Sequence, residues 1–146
     1  LTLLPSRRMD WGAWKQAFPG GEVLTRASGY GGSYGESVYA GYERSERTMF
    51  PVPQYRDELS NKAWVAGVAD TAYPVAFPVD ALPDGDVVSV RVDDRVLEVR
   101  RDAGAGEVTV TDRATGQAVP VTLAYWFAWQ AFYPQTTLWQ ENEKSK

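Results

Sequence analysis

Over residues 86–113 valines and polar residues alternate: Val88, Val90 and Val92 lead to Asp93-Asp94, and Val96-Leu97-Glu98-Val99 follows. A period of two sends successive side chains to opposite faces of a strand, and a two-residue polar link suits a tight reversal between antiparallel strands. The pattern predicts a three-stranded antiparallel meander over 86–92, 95–101 and 107–113, with Gly104-Ala105-Gly106 as its second turn. Trp64-Val65-Ala66-Gly67-Val68 is apolar throughout and too short for a helix, so it reads as a buried strand. Ala72-Tyr73-Pro74-Val75 and Phe77-Pro78-Val79 read as short pieces held at sheet edges, because proline has no N–H for a ladder. Phe50-Pro51-Val52-Pro53 favours an extended or polyproline backbone.

A second pattern has the helical period. Trp11, Trp14 and Phe18 fall at i, i+3 and i+7, on one face of a helix over about residues 11–18. Asp10 is its expected N-cap, accepting bonds from first-turn amides, and Pro19-Gly20-Gly21 ends it. Residues 22–26 then read as a short strand carrying Val23 and Leu24 into the core. The phrase returns at a constant offset of 115: Trp11/Trp126, Ala13/Ala128, Trp14/Trp129 and Pro19/Pro134 are identical, and Phe18/Tyr133 and Val23/Leu138 are similar. One helix, proline stop and strand is thus expected twice, at 11–24 and 126–139, buried both times in comparable surroundings. In the second copy Phe127 and Phe132 add another apolar side, so that helix is expected to lie between layers or dock on a partner. Residues 28–42 hold five glycines and four tyrosines, too much glycine for a stable helix, and read as a loop with aromatic pins. The expected architecture is one α+β domain over residues 1–146, a mostly antiparallel sheet flanked by two short repeated Trp-rich helices.

Composition sharpens this mainly by exclusion. Without cysteine or histidine there is no disulfide, thiolate nucleophile, imidazole base or Cys- or His-ligated metal. Carboxylate, lysine or Ser/Lys chemistry, an oxygen-ligated cation, or no catalysis remain. A net charge of −4 with no basic footprint argues against nucleic acid as a partner. The apolar stretches are too short and broken for a membrane-spanning helix. The first residue is Leu1, so the chain is expected to be processed or a piece of a longer protein. Six Trp, eight Tyr and five Phe exceed what one core of this size needs, which leaves aromatics for an outer surface.

Tyr30, Tyr34, Tyr39 and Tyr42 could form a platform for a sugar ring, or could simply pin the loop to the core. Trp126, Phe127 and Phe132 are the candidates for a docking face. Arg7 and Arg8, with Arg44 and Arg47, could hold an anion; surface pairing with Glu43, Glu46 or Glu58 is the competing fate. Asp84-Gly85-Asp86 has the spacing of a hard-cation loop but lacks the further oxygen ligands, so both it and Asp93-Asp94 read as turn chemistry. No catalytic residue, metal or cofactor is assigned.

Leu4-Pro5-Ser6-Arg7-Arg8-Met9-Asp10-Trp11-Gly12-Ala13-Trp14, Phe18-Pro19, Tyr34-Gly35, Val38-Tyr39-Ala40-Gly41-Tyr42, Phe50-Pro51-Val52, Val65-Ala66-Gly67-Val68, Ala72-Tyr73-Pro74, Tyr125-Trp126-Phe127-Ala128-Trp129 and Tyr133-Pro134 occur in that order. In this the chain resembles the bacterial and archaeal family of unknown function DUF3179. Members of the family are usually longer and often carry a threonine- and cysteine-containing strand where this chain has its valine-rich meander and no cysteine. The resemblance implies no activity, and an exported or membrane-associated setting.

These readings converge on a non-catalytic, exported binding or accessory module that docks on a protein partner or larger assembly through aromatic-rich surface. Two alternatives stand beside it. A glycan-binding domain would use the Tyr/Gly loop, and a carboxylate-based hydrolase would need two acids in one cleft.

Overall fold

The valine alternation forms the meander it predicts. In a computed structural model that describes residues 3–25, 39–49, 51–52 and 56–141, Val87–Val92 (β3), Arg95–Asp102 (β4) and Glu107–Asp112 (β5) make an antiparallel three-stranded sheet. Asp93 takes the left-handed conformation at φ 54° in the β3–β4 turn, and its carboxylate accepts a bond from the Ala72 amide at 2.9 Å. Gly106, at φ 64°, closes the second turn, where Ala105 N–H donates to Asp102 Oδ1 at 2.8 Å.

A four-stranded sheet lies against this meander. Trp64–Val68 (β1) pairs antiparallel with Val75–Pro78 (β2) on one side and with Thr122–Tyr125 (β6) on the other, while Thr137–Leu138 (β7) runs parallel to β2. β2 is therefore an interior strand, buried at all four positions, and not the edge piece its prolines suggest. The prolines are accommodated because Pro74 precedes the strand and Pro78 is its last residue, so the missing donors fall at its ends.

Side chains of the β1–β2 hairpin divide between two cores. Ala66, Val68, Val75 and Phe77 face the meander and pack with Leu97, Val99, Val108 and Val110. Val65 and Ala76 face the other way and pack under Trp126–Phe132 (α3) against Trp126 and Trp129. Two-sided burial explains why β1 is an unbroken apolar run. The layers are thus meander, four-stranded sheet and α3, an α+β arrangement of two mostly antiparallel sheets.

Trp11–Ala17 (α1) lies outside those layers and contains no buried residue. Asp10 occupies the N-cap position without a side-chain cap bond; instead its backbone N–H donates to Ala105 O at 2.7 Å, which ties the helix entrance to the β4–β5 turn. Its carboxylate leans over Gly106, where a Cβ would come within 3.0 Å of Asp10 Oδ1. The strand expected at 22–26 is not formed over its described residues, 22–25, which pair with no strand among the described residues. Ala40–Glu43 (α2) is one helical turn inside the stretch expected to be loop; residues 28–38 of that stretch lie outside the described residues. Among the described residues no helix is long and apolar enough to cross a membrane.

Candidate binding surface

The two Trp phrases adopt one local geometry. Asp10 before α1 has φ −66° and ψ 150°, and Tyr125 before α3 has φ −70° and ψ 147°. Phe18 after α1 and Tyr133 after α3 have φ −131° and −128° with ψ 66° and 70°. The bonds correspond as well: Phe18 N–H donates to Trp14 O and Tyr133 N–H to Trp129 O, both at 2.9 Å. Gly21 N–H then bonds Phe18 O at 2.9 Å, and Thr136 N–H bonds Tyr133 O at 3.0 Å.

Their surroundings differ. Trp126 and Trp129 are sealed in the core at 0 % and 2 % exposure. Trp126 Nε1–H donates to Arg56 O at 3.0 Å, and Trp129 Nε1–H donates to Thr136 Oγ1 at 2.9 Å. Both rings thereby satisfy their one polar group while buried. Trp11 is 52 % exposed and Phe18 45 %, so the expectation that both copies are buried alike is corrected for the first. The physical reason is that α3 covers the β1–β2 hairpin, whereas α1 covers no sheet among the described residues. The rings of α1 pack on one another instead. Trp11 stacks on Trp14 with centroids 5.0 Å apart, Phe18 follows at 5.8 Å from Trp14, and Lys15 Nζ sits 5.5 Å from the Trp11 centroid.

This leaves an exposed apolar surface on the N-terminal unit. Arg7, Arg8, Met9, Trp11, Trp14 and Val23 enclose an open hollow of about 550 Å³, and Leu4, Phe18 and Leu24 are exposed in the same unit. Of the docking candidates on α3, Trp126 is buried and offers no surface, Phe127 is half-buried, and Phe132 stands 80 % exposed. The sequence does not separate the two copies by burial, because both phrases carry the same apolar face; Lys15 and Gln16 are the polar residues of the first helix.

Arg7 and Arg8 do not converge on an anion. Arg7 forms a two-pronged ion pair with the buried Glu107, Nε to Oε1 at 2.5 Å and Nη2 to Oε2 at 2.8 Å, and this bond raises the Arg7 pKa further above its ordinary value. Arg8 lies 4.9 Å over the Trp64 ring. Arg44 bonds Ala40 O, and Glu58 pairs with Arg56 at 2.7 Å, a hydrogen bond that holds its carboxyl below the usual range.

Three acids, Asp10, Asp102 and Glu107, border one cleft of about 300 Å³ that also touches Arg8, Trp64 and Arg101. Glu107 is committed to Arg7, and Asp102 Oδ1 accepts from the Ala105 amide. Asp84 Oδ1 accepts from the Ala103 amide at 2.7 Å, beside Gly85 at φ 78°, which is turn chemistry. Among the described residues no group of three or more acids is placed to hold a metal ion.

Tyr30 and Tyr34 lie outside the described residues. Tyr39 is exposed, while Tyr42 is half-buried under the Lys62 ammonium, 3.4 Å from its ring centroid, with Lys62 Nζ also donating to Tyr42 O. Of the four loop tyrosines, the two that are described are thus an exposed Tyr39 and a half-buried Tyr42.

The motifs that carry a family resemblance span α1, the β1–β2 hairpin and α3. A family model described as a protein of unknown function, DUF3179, matches residues 1–136. The chain belongs to that family. No curated protein and no solved structure matches the chain. Within this DUF3179 protein, the matched segment includes both Trp-rich helices and the meander between them.

Proposed function

We propose that this DUF3179 protein is a non-catalytic, exported binding or accessory module that docks on a protein partner through the aromatic surface of its N-terminal unit. One observation carries the reading: α1 presents Trp11, Trp14 and Phe18 on one face yet buries none of them. A contiguous apolar patch of this kind marks interaction surface, and tryptophan supplies large contact area at low entropic cost. In the cleft bordered by Asp10, Asp102 and Glu107, Glu107 is engaged in an ion pair and Asp102 in a turn, so the arrangement favours binding over hydrolysis.

The test compares the chain with a Trp11→Asp/Phe18→Asp variant in an extract of its source, by size exclusion with light scattering. Both replaced rings are half exposed, so the variant is expected to keep its far-UV circular dichroism. The expected result is co-migration of the parent with another protein and its loss in the variant. Co-migration that survives the double substitution, or a parent that runs at monomer mass, refutes the reading. Retention on a glycan array with no protein co-migration would replace it with the sugar-binding alternative.

A further inference from the structure

Resting on that docking reading, we propose that the surface of α1 is a clasp for a β-hairpin of small apolar residues supplied by the partner. The residues around the open hollow are the 115-residue counterparts of those that hold the β1–β2 hairpin. Met9, Trp11, Trp14 and Val23 correspond to Ala124, Trp126, Trp129 and Leu138. In the C-terminal unit those four residues close around Val65 and Ala76, both fully buried. In the N-terminal unit the same four positions meet an unfilled volume of about 550 Å³ at the surface.

Hydrogen bonding gives the occupant its form. In the C-terminal unit the amides of Trp126, Phe127, Thr137 and Trp139 donate to the carbonyls of Ala63, Asn61, Pro74 and Ala76, at 2.8 to 2.9 Å. Those carbonyls belong to the β1–β2 hairpin and the segments that lead into its two strands. The corresponding amides, of Trp11, Gly12, Glu22 and Leu24, find no acceptor among the described residues. Two strands can satisfy all four. By the register of β6 and β7, one runs antiparallel to residues 7–10 and the other parallel to residues 22–23. The Trp ring sets the size of the side chains. Trp129 lies directly on Gly67, where a Cβ would stand 2.2 Å from its Cζ3. Trp14 now rests on Gly21, its own chain, where a Cβ would stand 2.5 Å from Cη2. A hairpin with glycine at the central position gives that ring the same seat that Trp129 has.

The probe is a backbone-cyclised peptide of residues 62–80, this protein's own β1–β2 hairpin, shown by nuclear magnetic resonance to be folded before use. It is titrated into the isotope-labelled full chain while amide hydrogen exchange is followed. The expected result is exchange slowed at least tenfold at Trp11, Gly12, Glu22 and Leu24, and no slowing with the same peptide carrying Gly67→Val. Unchanged exchange at those four amides, slowing confined to α3, or equal slowing by both peptides overturns the inference. Loss of co-migration in the aspartate variant with unchanged exchange here leaves docking in place and removes the hairpin as its occupant. Absence of any co-migrating protein removes the docking reading itself.

Discussion

Replacing Gly67 by alanine adds one methyl group at the closest approach between β1 and α3. The new Cβ would lie 2.2, 2.3 and 2.4 Å from three carbon atoms of the Trp129 ring. Ordinary carbon contacts begin near 3.5 Å, so the ring or the strand has to retreat by roughly 1 Å. Neither moves freely. Trp129 is buried, bonded to Thr136 and packed 4.3 Å from the Tyr133 centroid, and β1 is an interior strand paired on both sides. Overpacking of this kind costs about 1–3 kcal/mol, and loss of the buried Trp129–Thr136 bond adds about 1 kcal/mol. Restricting the unfolded chain returns about 0.4–1 kcal/mol. The net expectation is a destabilisation of about 2–3 kcal/mol, or a fall in Tm of roughly 5–10 °C for a domain this size. Gly12→Ala supplies the control, because nothing lies within 4 Å of its added Cβ and it sits in α1, so it is expected to stabilise by up to about 1 kcal/mol. Urea melts followed by tryptophan fluorescence and far-UV circular dichroism measure both. A Gly67→Ala variant within 0.5 kcal/mol of the parent would refute the close seating of Trp129 on β1.

Two further outcomes follow from the same geometry. Trp129→Ala is expected to cost about 3–5 kcal/mol and Trp11→Ala less than about 1 kcal/mol, although the two residues hold equivalent places in the two phrases; equal losses in urea melts would show that the N-terminal phrase is packed like the C-terminal one. Arg95 Nε donates to Asp112 Oδ2 at 2.7 Å, and the Thr115 and Ala114 amides donate to its other oxygen, which holds the Asp112 carboxyl below its ordinary value. That stabilisation is complete above about pH 4, where the unfolded-state carboxylate is ionised, and fades as pH falls through the lower folded-state value. Asp112→Asn is therefore expected to be less stable than the parent at pH 7, with the gap closing on acidification toward pH 3; a gap constant across that range in urea melts counts against the pairing.

Local patterns made much of this protein legible. The meander was readable because alternation, two turn signals and strand lengths all agree, and each partner lies a few residues away. β1 was readable because burial on both faces leaves an unbroken apolar run. Residues 122–125 carried no such signal; they form β6 because the β1 edge is there to pair with. The Arg7–Glu107 pair joins residues 100 apart, and a sequence scan for nearby acids leads instead to Glu43, Glu46 or Glu58.

The two Trp phrases mark the division most clearly. Sequence by itself determined that each forms a short helix with a tryptophan face, stopped before a proline, because caps, period and φ restriction are local properties. Only the tertiary structure decided which face is covered. The four-stranded sheet has one open side, the β1–β2 hairpin offers Gly67 as the seat for a single indole, and α3 takes it because β6 and β7 pair with the two strands of that hairpin. With that side filled, α1 keeps its helix and leaves its tryptophan face exposed, because the backbone bonds of the helix, such as Trp14 N–H to Asp10 O and Phe18 N–H to Trp14 O, close within the phrase whereas burial needs a second surface.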